Sequence, residues 1–130
     1  MASRELKDLH PVIQTKAKQH LLDCAKEGID LLIYCTYRSG AEQDHLYAQG
    51  RTAPGKIVTN AKAGQSLHNY ALQGKPASLA YDCVPLKAGK PAWNDKELYE
   101  RVGVIGERLG LEWAGRWKRF KESPHFQVRL

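Results

Sequence analysis

Among 130 residues there are only three cysteines, two phenylalanines and a single methionine, and no apolar run approaches the roughly 18 residues a membrane span requires. Cys24, Cys35 and Cys83 are odd in number, widely spaced and free of any CxxC pair. Each lies in an apolar pattern, which predicts reduced core thiols and argues against a disulfide framework or a thiolate zinc site. The opening MASRELKDLHPVIQ lacks the apolar core of a secretory signal, so the expectation is a chain left in the cytoplasm where it is made. There is no internal repeat and no low-complexity tract. Positive charge, by contrast, is in excess. Twenty Lys and Arg against fourteen Asp and Glu give a net charge of +6 and a pI near 9.3, which suits an anionic partner. Nucleic acid, anionic lipid or lipopolysaccharide, and acidic cell-wall polymer all qualify, and charge does not choose among them. The length fits one domain, residues 1–130.

Periodicity supplies the elements. PVIQTKAKQHLLDCAKEG reads as a helix that opens on Pro11, repeats Ile13, Ala17, Leu21 and Cys24, and stops at Gly28. IDLLIYCTY alternates and reads as a buried strand, and RSGAEQDHLYAQG as a turn and short helix ending at Gly50. Residues 51–65 have no period and read mainly as loop, with room for a short IVT strand. SLAYDCVPL is a second strand, expected to stop at Pro85. NDKELYERVGVIGERLG is the clearest helix, with Asn94 as its cap, Glu97 completing a capping box, and Leu98, Val102, Ile105 and Leu109 on one face. SPHFQVRL is a final strand. Interspersed helices and nearby strands predict an α+β fold with a small, largely antiparallel sheet and flanking helices.

Five histidines could carry chemistry. His10 precedes a helix, and His20 and His45 lie in helical patterns, so all three read as solvated or helix-boundary residues. His68 and His125 lie at strand or loop edges beside carboxylates and aromatics. Two neutral imidazoles and a carboxylate are the ligands of a zinc ion that keeps a position open for catalysis, and His68, Asp82 and His125 could supply them. Fourteen residues separate His68 from Asp82 in AGQSLHNYALQGKPASLAYDCVPL, and that spacing alone leaves open whether they meet.

SLH, LAYD and ESPH, in that order, resemble the SxHxxGxAxD and E/DxxH motifs of the LAS metallopeptidases. That group takes in D-alanyl-D-alanine dipeptidases and carboxypeptidases and the L-alanyl-D-glutamate endopeptidases of bacteriophage endolysins. The segments TYRSGAEQDHLYAQGRT, DCVPLKAGKPAW and GLEWAGRWKRFKESPHFQV resemble the endolysin branch in order and spacing over roughly residues 30–128. The resemblance implies a hedgehog/D-Ala-D-Ala peptidase-like fold and one zinc ion per chain, bound by His68, Asp82 and His125. It also implies Glu122 as the general base, Arg38 as the residue that steadies a substrate carbonyl or carboxylate, and Ser66 as a hydrogen bonder on the substrate side. The sequence departs from the motif between His68 and Asp82. QGKPAS reads there as an inserted turn, and loop length is tolerated cheaply enough for it to bulge outward. Glu122 and His125 stand three apart, so they need a bend to share a face, and Pro124 supplies one.

The function implied is that of a monomeric phage endolysin cutting the L-alanyl-D-glutamate bond of peptidoglycan. Its basic surface would hold it to anionic envelope polymer or lipopolysaccharide, and it would wait in the host cytoplasm for release to the wall. Two alternatives stand beside it. One is a D-alanyl-D-alanine carboxypeptidase or dipeptidase of the same fold. The other is a basic nucleic-acid-binding domain, for which RWKRFK interleaves cations with aromatics. With the peptidase reading no nucleic acid is expected. Trp113, Trp117 and Tyr70 are further candidates to line a cleft.

Overall fold

The computed structural model describes residues 2–130. Helix α1, Pro11–Lys26, begins where the His10 ring accepts the Val12 amide, and ends before Gly28 turns the chain at φ +77°. Strand β1, Asp30–Cys35, and helix α2, Gly40–Ala48, follow, the helix capped by the Ser39 hydroxyl. A short hairpin, β2 (Ala71–Leu72) with β3 (Lys75–Pro76), precedes the long strand β4, Ala80–Lys87. Strand β5 (Lys90–Pro91), helix α3 (Lys96–Arg108), β6 (Glu112–Trp113) and β7 (His125–Gln127) complete the chain. The sheet is antiparallel in the order β1-β4-β7-β6, with β5 extending one end of β4. No helix among the described residues is long and apolar enough to cross a membrane.

The sheet separates a core from a cleft. Ile13, Ala17 and Cys24 of α1 and Val102 and Ile105 of α3 pack against Ile33, Tyr81, Cys83 and Phe126 on one face. A side chain on Gly103 would collide with the Trp113 ring, so its absence lets α3 lie directly on the sheet. The other face carries the alternate residues Asp82 and His125, paired across β4 and β7.

Strand β4 runs through Pro85 instead of stopping there. The Cys83 amide donates to Pro124 O, and the position two further on faces the same way but lies past the end of β7, so a residue without N–H loses no ladder bond. The cap of α3 is Asp95, whose carboxylate accepts the Leu98 amide, not Asn94. No strand forms at Ile57–Thr59.

His20 is a core residue, not a solvated one. Its Nε2 lies 2.9 Å from the Val102 carbonyl, an acceptor only, so Nε2 carries the proton and Nδ1 accepts from the Tyr81 hydroxyl at 2.6 Å. The ring also meets Phe126 edge-on at 4.7 Å and so ties α1 to β4 and α3. Burial lowers its pKa below the ordinary imidazole value of about 6.5, against weaker upward pulls from Val102 and Asp23. The unfolded chain therefore binds more protons than the folded one as pH falls below about 6.5. Stability from this site is complete above that pH and is lost on acidification. Urea unfolding between pH 7.5 and 5.5 should show a steeper loss in the wild type than in His20→Gln; equal slopes would place the acid sensitivity elsewhere.

Candidate active site

Asp82 sits mid-sheet, opposite Cys35 on β1 and His125 on β7. A bulge between Ile33 and Cys35 shifts the β1 register there and brings Cys35 level with Asp82. His68 arrives from a different direction, on a single 3-10 turn, Leu67–Asn69, whose first amide bonds are capped by Ser66 Oγ accepting from the His68 amide. That turn is stitched to the end of β1: the Arg38 amide donates to His68 O, and Asn69 Nδ2 donates to Arg38 O. The residues between His68 and β4 fold away as the β2–β3 hairpin, with Gln73 and Gly74 both at positive φ as a primed two-residue turn requires. All six hairpin residues are exposed, so the insertion leaves the His68–Asp82 approach intact.

The two histidines converge on one carboxylate oxygen. His68 Nε2 lies 3.1 Å and His125 Nδ1 3.0 Å from Asp82 Oδ1. The outward nitrogens both face acceptors. His68 Nδ1 is 2.8 Å from Thr36 O, and His125 Nε2 is 2.7 Å from Gln127 Oε1. That amide orientation is fixed in turn, because Gln127 Nε2 donates to Glu112 Oε2, which can only accept. Each outward nitrogen must carry the ring proton, so in the neutral rings both inward nitrogens present lone pairs to an anionic oxygen. Such a donor set is stable only around a cation. A proton can serve: burial alone would lower the His68 pKa, but Asp82 overrides it and pushes it up to about 10. Burial also acts to raise the Asp82 carboxyl, yet the facing imidazoles hold it well below the usual range. A divalent ion suits the same two nitrogens and one oxygen, a donor set that catalytic zinc sites use.

Cys35 makes an alternative trio with His68 and Asp82, all donor atoms lying within 4.8 Å of one another. The thiol, however, lies 3.8 Å from His68 Nδ1, the nitrogen committed to Thr36, and receives Arg38 Nη2 at 3.5 Å. The set containing His125 is therefore the better fit. All three thiols are free and buried as expected, but the strand pattern gave no sign that Cys35 lies beside the site.

Arg38 is held flat against this row. Its Nη1 donates to Gln43 Oε1 at 3.0 Å and its Nη2 approaches Asp82 Oδ2 at 3.8 Å. Gln43 is fully buried and also donates to Ala61 O, which fixes Arg38 to the 59–61 segment of the cleft wall. Glu122 lies at the end of a turn in which the His125 amide donates to Glu122 O, so the chain reverses between them through Ser123 and Pro124. Burial pushes the Glu122 carboxyl above the ordinary range; Asp82 adds to this, while His125, His68 and Arg38 oppose it. Arg38, Ser66, His68, Asp82, Glu122 and His125 all line one cleft of about 670 Å³.

Of the aromatic candidates only Trp117 lines it. Trp113 is buried against Phe126, and Tyr70 stands beside His10. In RWKRFK, Arg116 is engaged by Glu100 and Glu107 and stacks over Trp113. The sequence reading missed the support behind His125, where Glu112 accepts from Gln127, Trp117 and Arg129 together. Only the spacing of Gln127 from His125, two along a strand and so on one face, hinted at it. Outer partners of metal-binding histidines are typically worth about 10–100-fold in metal affinity. Gln127→Ala should lose that much zinc affinity by competition with a chelator, and unchanged affinity would show that the Gln127–His125 bond does not hold the ring.

Residues 59–128 match the Peptidase M15 sequence family described as D-alanyl-D-alanine carboxypeptidase. The chain is 42% identical over 129 residues to the peptidoglycan L-alanyl-D-glutamate endopeptidase CwlK of Bacillus subtilis (strain 168), covering 93% of this chain and 74% of that protein. In fold it is similar to the Serratia marcescens L-Ala D-Glu endopeptidase ChiX, with a TM-score of 0.60 and 20% identity over 99% of this chain and 89% of that one. It is also similar to the vancomycin-resistance D,D-pentapeptidase VanY, whose structure was solved in complex with Zn(II). There the TM-score is 0.64 at 13% identity, over 92% of this chain and 72% of that one.

Proposed function

The chain belongs to the M15 family of zinc-dependent metallopeptidases, and from that premise we propose that it hydrolyses the L-alanyl-D-glutamate bond of the peptidoglycan stem, with one zinc ion held by His68, Asp82 and His125. The observation that carries the chemistry is the convergence of two imidazole lone pairs on the Asp82 carboxylate. The relative in Bacillus subtilis supports the choice of bond. Zinc at this position supplies a Lewis acid that polarises the scissile carbonyl and makes water acidic enough to lose a proton near neutral pH.

The remaining work falls to side chains of the cleft. Glu122 takes the proton from the attacking water on its carboxylate and returns it to the nitrogen of the leaving D-glutamate. Its raised pKa suits both halves of that exchange. Arg38, oriented by Gln43, donates to the substrate oxygen on which negative charge grows. Asp82 Oδ2 beside it keeps the guanidinium from leaving the row. Ser66 caps the turn that carries His68 and faces the same cleft, where its hydroxyl can meet the stem backbone.

Digestion of purified peptidoglycan by the zinc-loaded protein, with mass analysis of the new termini, tests the bond. The expected products end in muramoyl-L-alanine and begin with γ-linked D-glutamate. Release of terminal D-alanine alone would favour the carboxypeptidase activity for which the family is named. A role in phage-driven host lysis, with the protein held in the cytoplasm until the inner membrane opens, is supported by the likeness of the segments around the site to the endolysin branch. The net charge of +6 suits an anionic envelope. Cytoplasmic expression should then lyse cells only after the inner membrane is permeabilised.

A further inference from the structure

Besides the depression around the histidines there is a second, of about 410 Å³, and the two share Tyr34, Val58, Asp82, Phe120 and Glu122. They are two lobes of one cleft with the Asp82–Glu122 pair at its waist. Their linings differ. The first lobe holds Arg38 and Arg129 with Gln49, Asn60 and Ser66. The second is walled by Ile57, Trp93 and Tyr99, and apart from the shared carboxylates Lys121 is its one charged residue.

The apolar wall is open to solvent. Ile57, Val58, Trp93 and Phe120 are four of the nine large hydrophobics exposed among the described residues; Ile57 and Trp93 line this lobe alone, and Val58 and Phe120 line the waist it shares with the first. Exposed apolar side chains scattered singly mean little, whereas a cluster beside catalytic groups marks a binding surface. Trp93 is 52% exposed, yet its ring packs perpendicular to Tyr34 at 5.3 Å, which fixes the indole without covering it. Phe120 is held at φ +50°, a left-handed conformation that bulky residues rarely adopt and that clusters at ligand sites.

We propose that this aromatic lobe is a saccharide subsite, in which Trp93 stacks on the muramoyl sugar at the amino side of the scissile bond. The inference rests on the endopeptidase reading and adds the direction in which the substrate lies. Cleavage between L-alanine and D-glutamate divides a neutral half from an anionic one. The carboxyl side carries the free α-carboxylate of D-glutamate and the rest of the stem, which matches the lobe with the arginines. The amino side is one alanine joined through a lactyl ether to an N-acetylated sugar. One residue spans at most about 3.6 Å and the lactyl ether adds only a few bonds more, so the sugar stays close to the waist, where the apolar wall is the surface beside it. A flat aromatic face buries the C–H face of a pyranose ring and leaves its hydroxyls in water.

Two soluble substrates test this: N-acetylmuramoyl-L-Ala-γ-D-Glu-L-Lys, and the same peptide with a plain N-acetyl group in place of the sugar. The wild type should favour the first about tenfold in kcat/KM, mostly through KM. Trp93→Ala should abolish that preference and Trp93→Phe should keep most of it. A ratio unchanged by Trp93→Ala, or no preference in the wild type, overturns the subsite. A titration independent of turnover stands beside the kinetics, with N-acetylmuramoyl-L-alanine added to Glu122→Gln protein and followed by calorimetry. Binding that is lost when Trp93→Ala is added supports the subsite, and no binding, or binding that survives, overturns it. Failure of the endopeptidase reading looks different: neither substrate is cut at the alanine, and the titration alone then decides the sugar site.

Discussion

Glu122→Gln is expected to keep the fold and a full complement of zinc while losing about 10²–10⁴-fold in turnover, the usual worth of general-base assistance. Glutamine has the same shape as glutamate, and the turn that positions residue 122 is made by backbone, the His125 amide donating to the residue-122 carbonyl. Only the capacity to accept and return a proton is removed. The loss should fall on kcat with little change in KM, because the interaction is made in the transition state and not in the ground state. Turnover of a soluble stem peptide, with zinc content measured on the same sample, checks it. A near-normal rate would move the base elsewhere. Glu112, the other carboxylate nearby in sequence, is a poor substitute. It is engaged by Trp117, Gln127 and Arg129 and lies outside the cleft lining.

The contrast between Glu122 and Glu112 shows where the sequence was readable. Patterns with a period were legible: the alternation of β1 and the helical spacing of α1 and α3 gave elements close to those observed. The ordered SLH, LAYD and ESPH segments singled out His68, Asp82 and His125, and the structure brings those three together. What was illegible depends on contacts between distant segments. His20 looked like any polar residue on a helix until Tyr81 and the Val102 carbonyl met it in the core. Cys35 followed the core alternation with Ile33, and only the bulge in β1 set it level with Asp82. Asn94 and Asp95 are both good caps, and choosing between them needs the backbone of the preceding turn. Trp93 lay between the pattern of β4 and that of α3, where nothing local announces a partner; the bulged Tyr34 supplies it.

The fate of Asp82 separates the metal from the base. It is the one anionic group at the meeting point of the two inward imidazole nitrogens. Asp82→Ala is expected to lower zinc affinity by more than the about 10–100-fold that loss of an outer partner brings, since a ligand and its charge go together. The consequence can be read without turnover. A ligand that binds only the folded state stabilises it by RT ln(1 + [L]/Kd), about 2.7 kcal/mol at a hundredfold excess over Kd. Added zinc should therefore raise the melting temperature of the wild type and of Glu122→Gln alike, and should do so hardly at all for Asp82→Ala at the same concentration. Loss of the carboxylate also leaves Arg38 without its anionic neighbour, so the apo form of this variant needs its own baseline. If Asp82→Ala still takes up one zinc per chain with an undiminished thermal shift, the His68–Asp82–His125 centre is wrong. The thiol of Cys35, within 4.8 Å of the same donors, would then be the next ligand to replace.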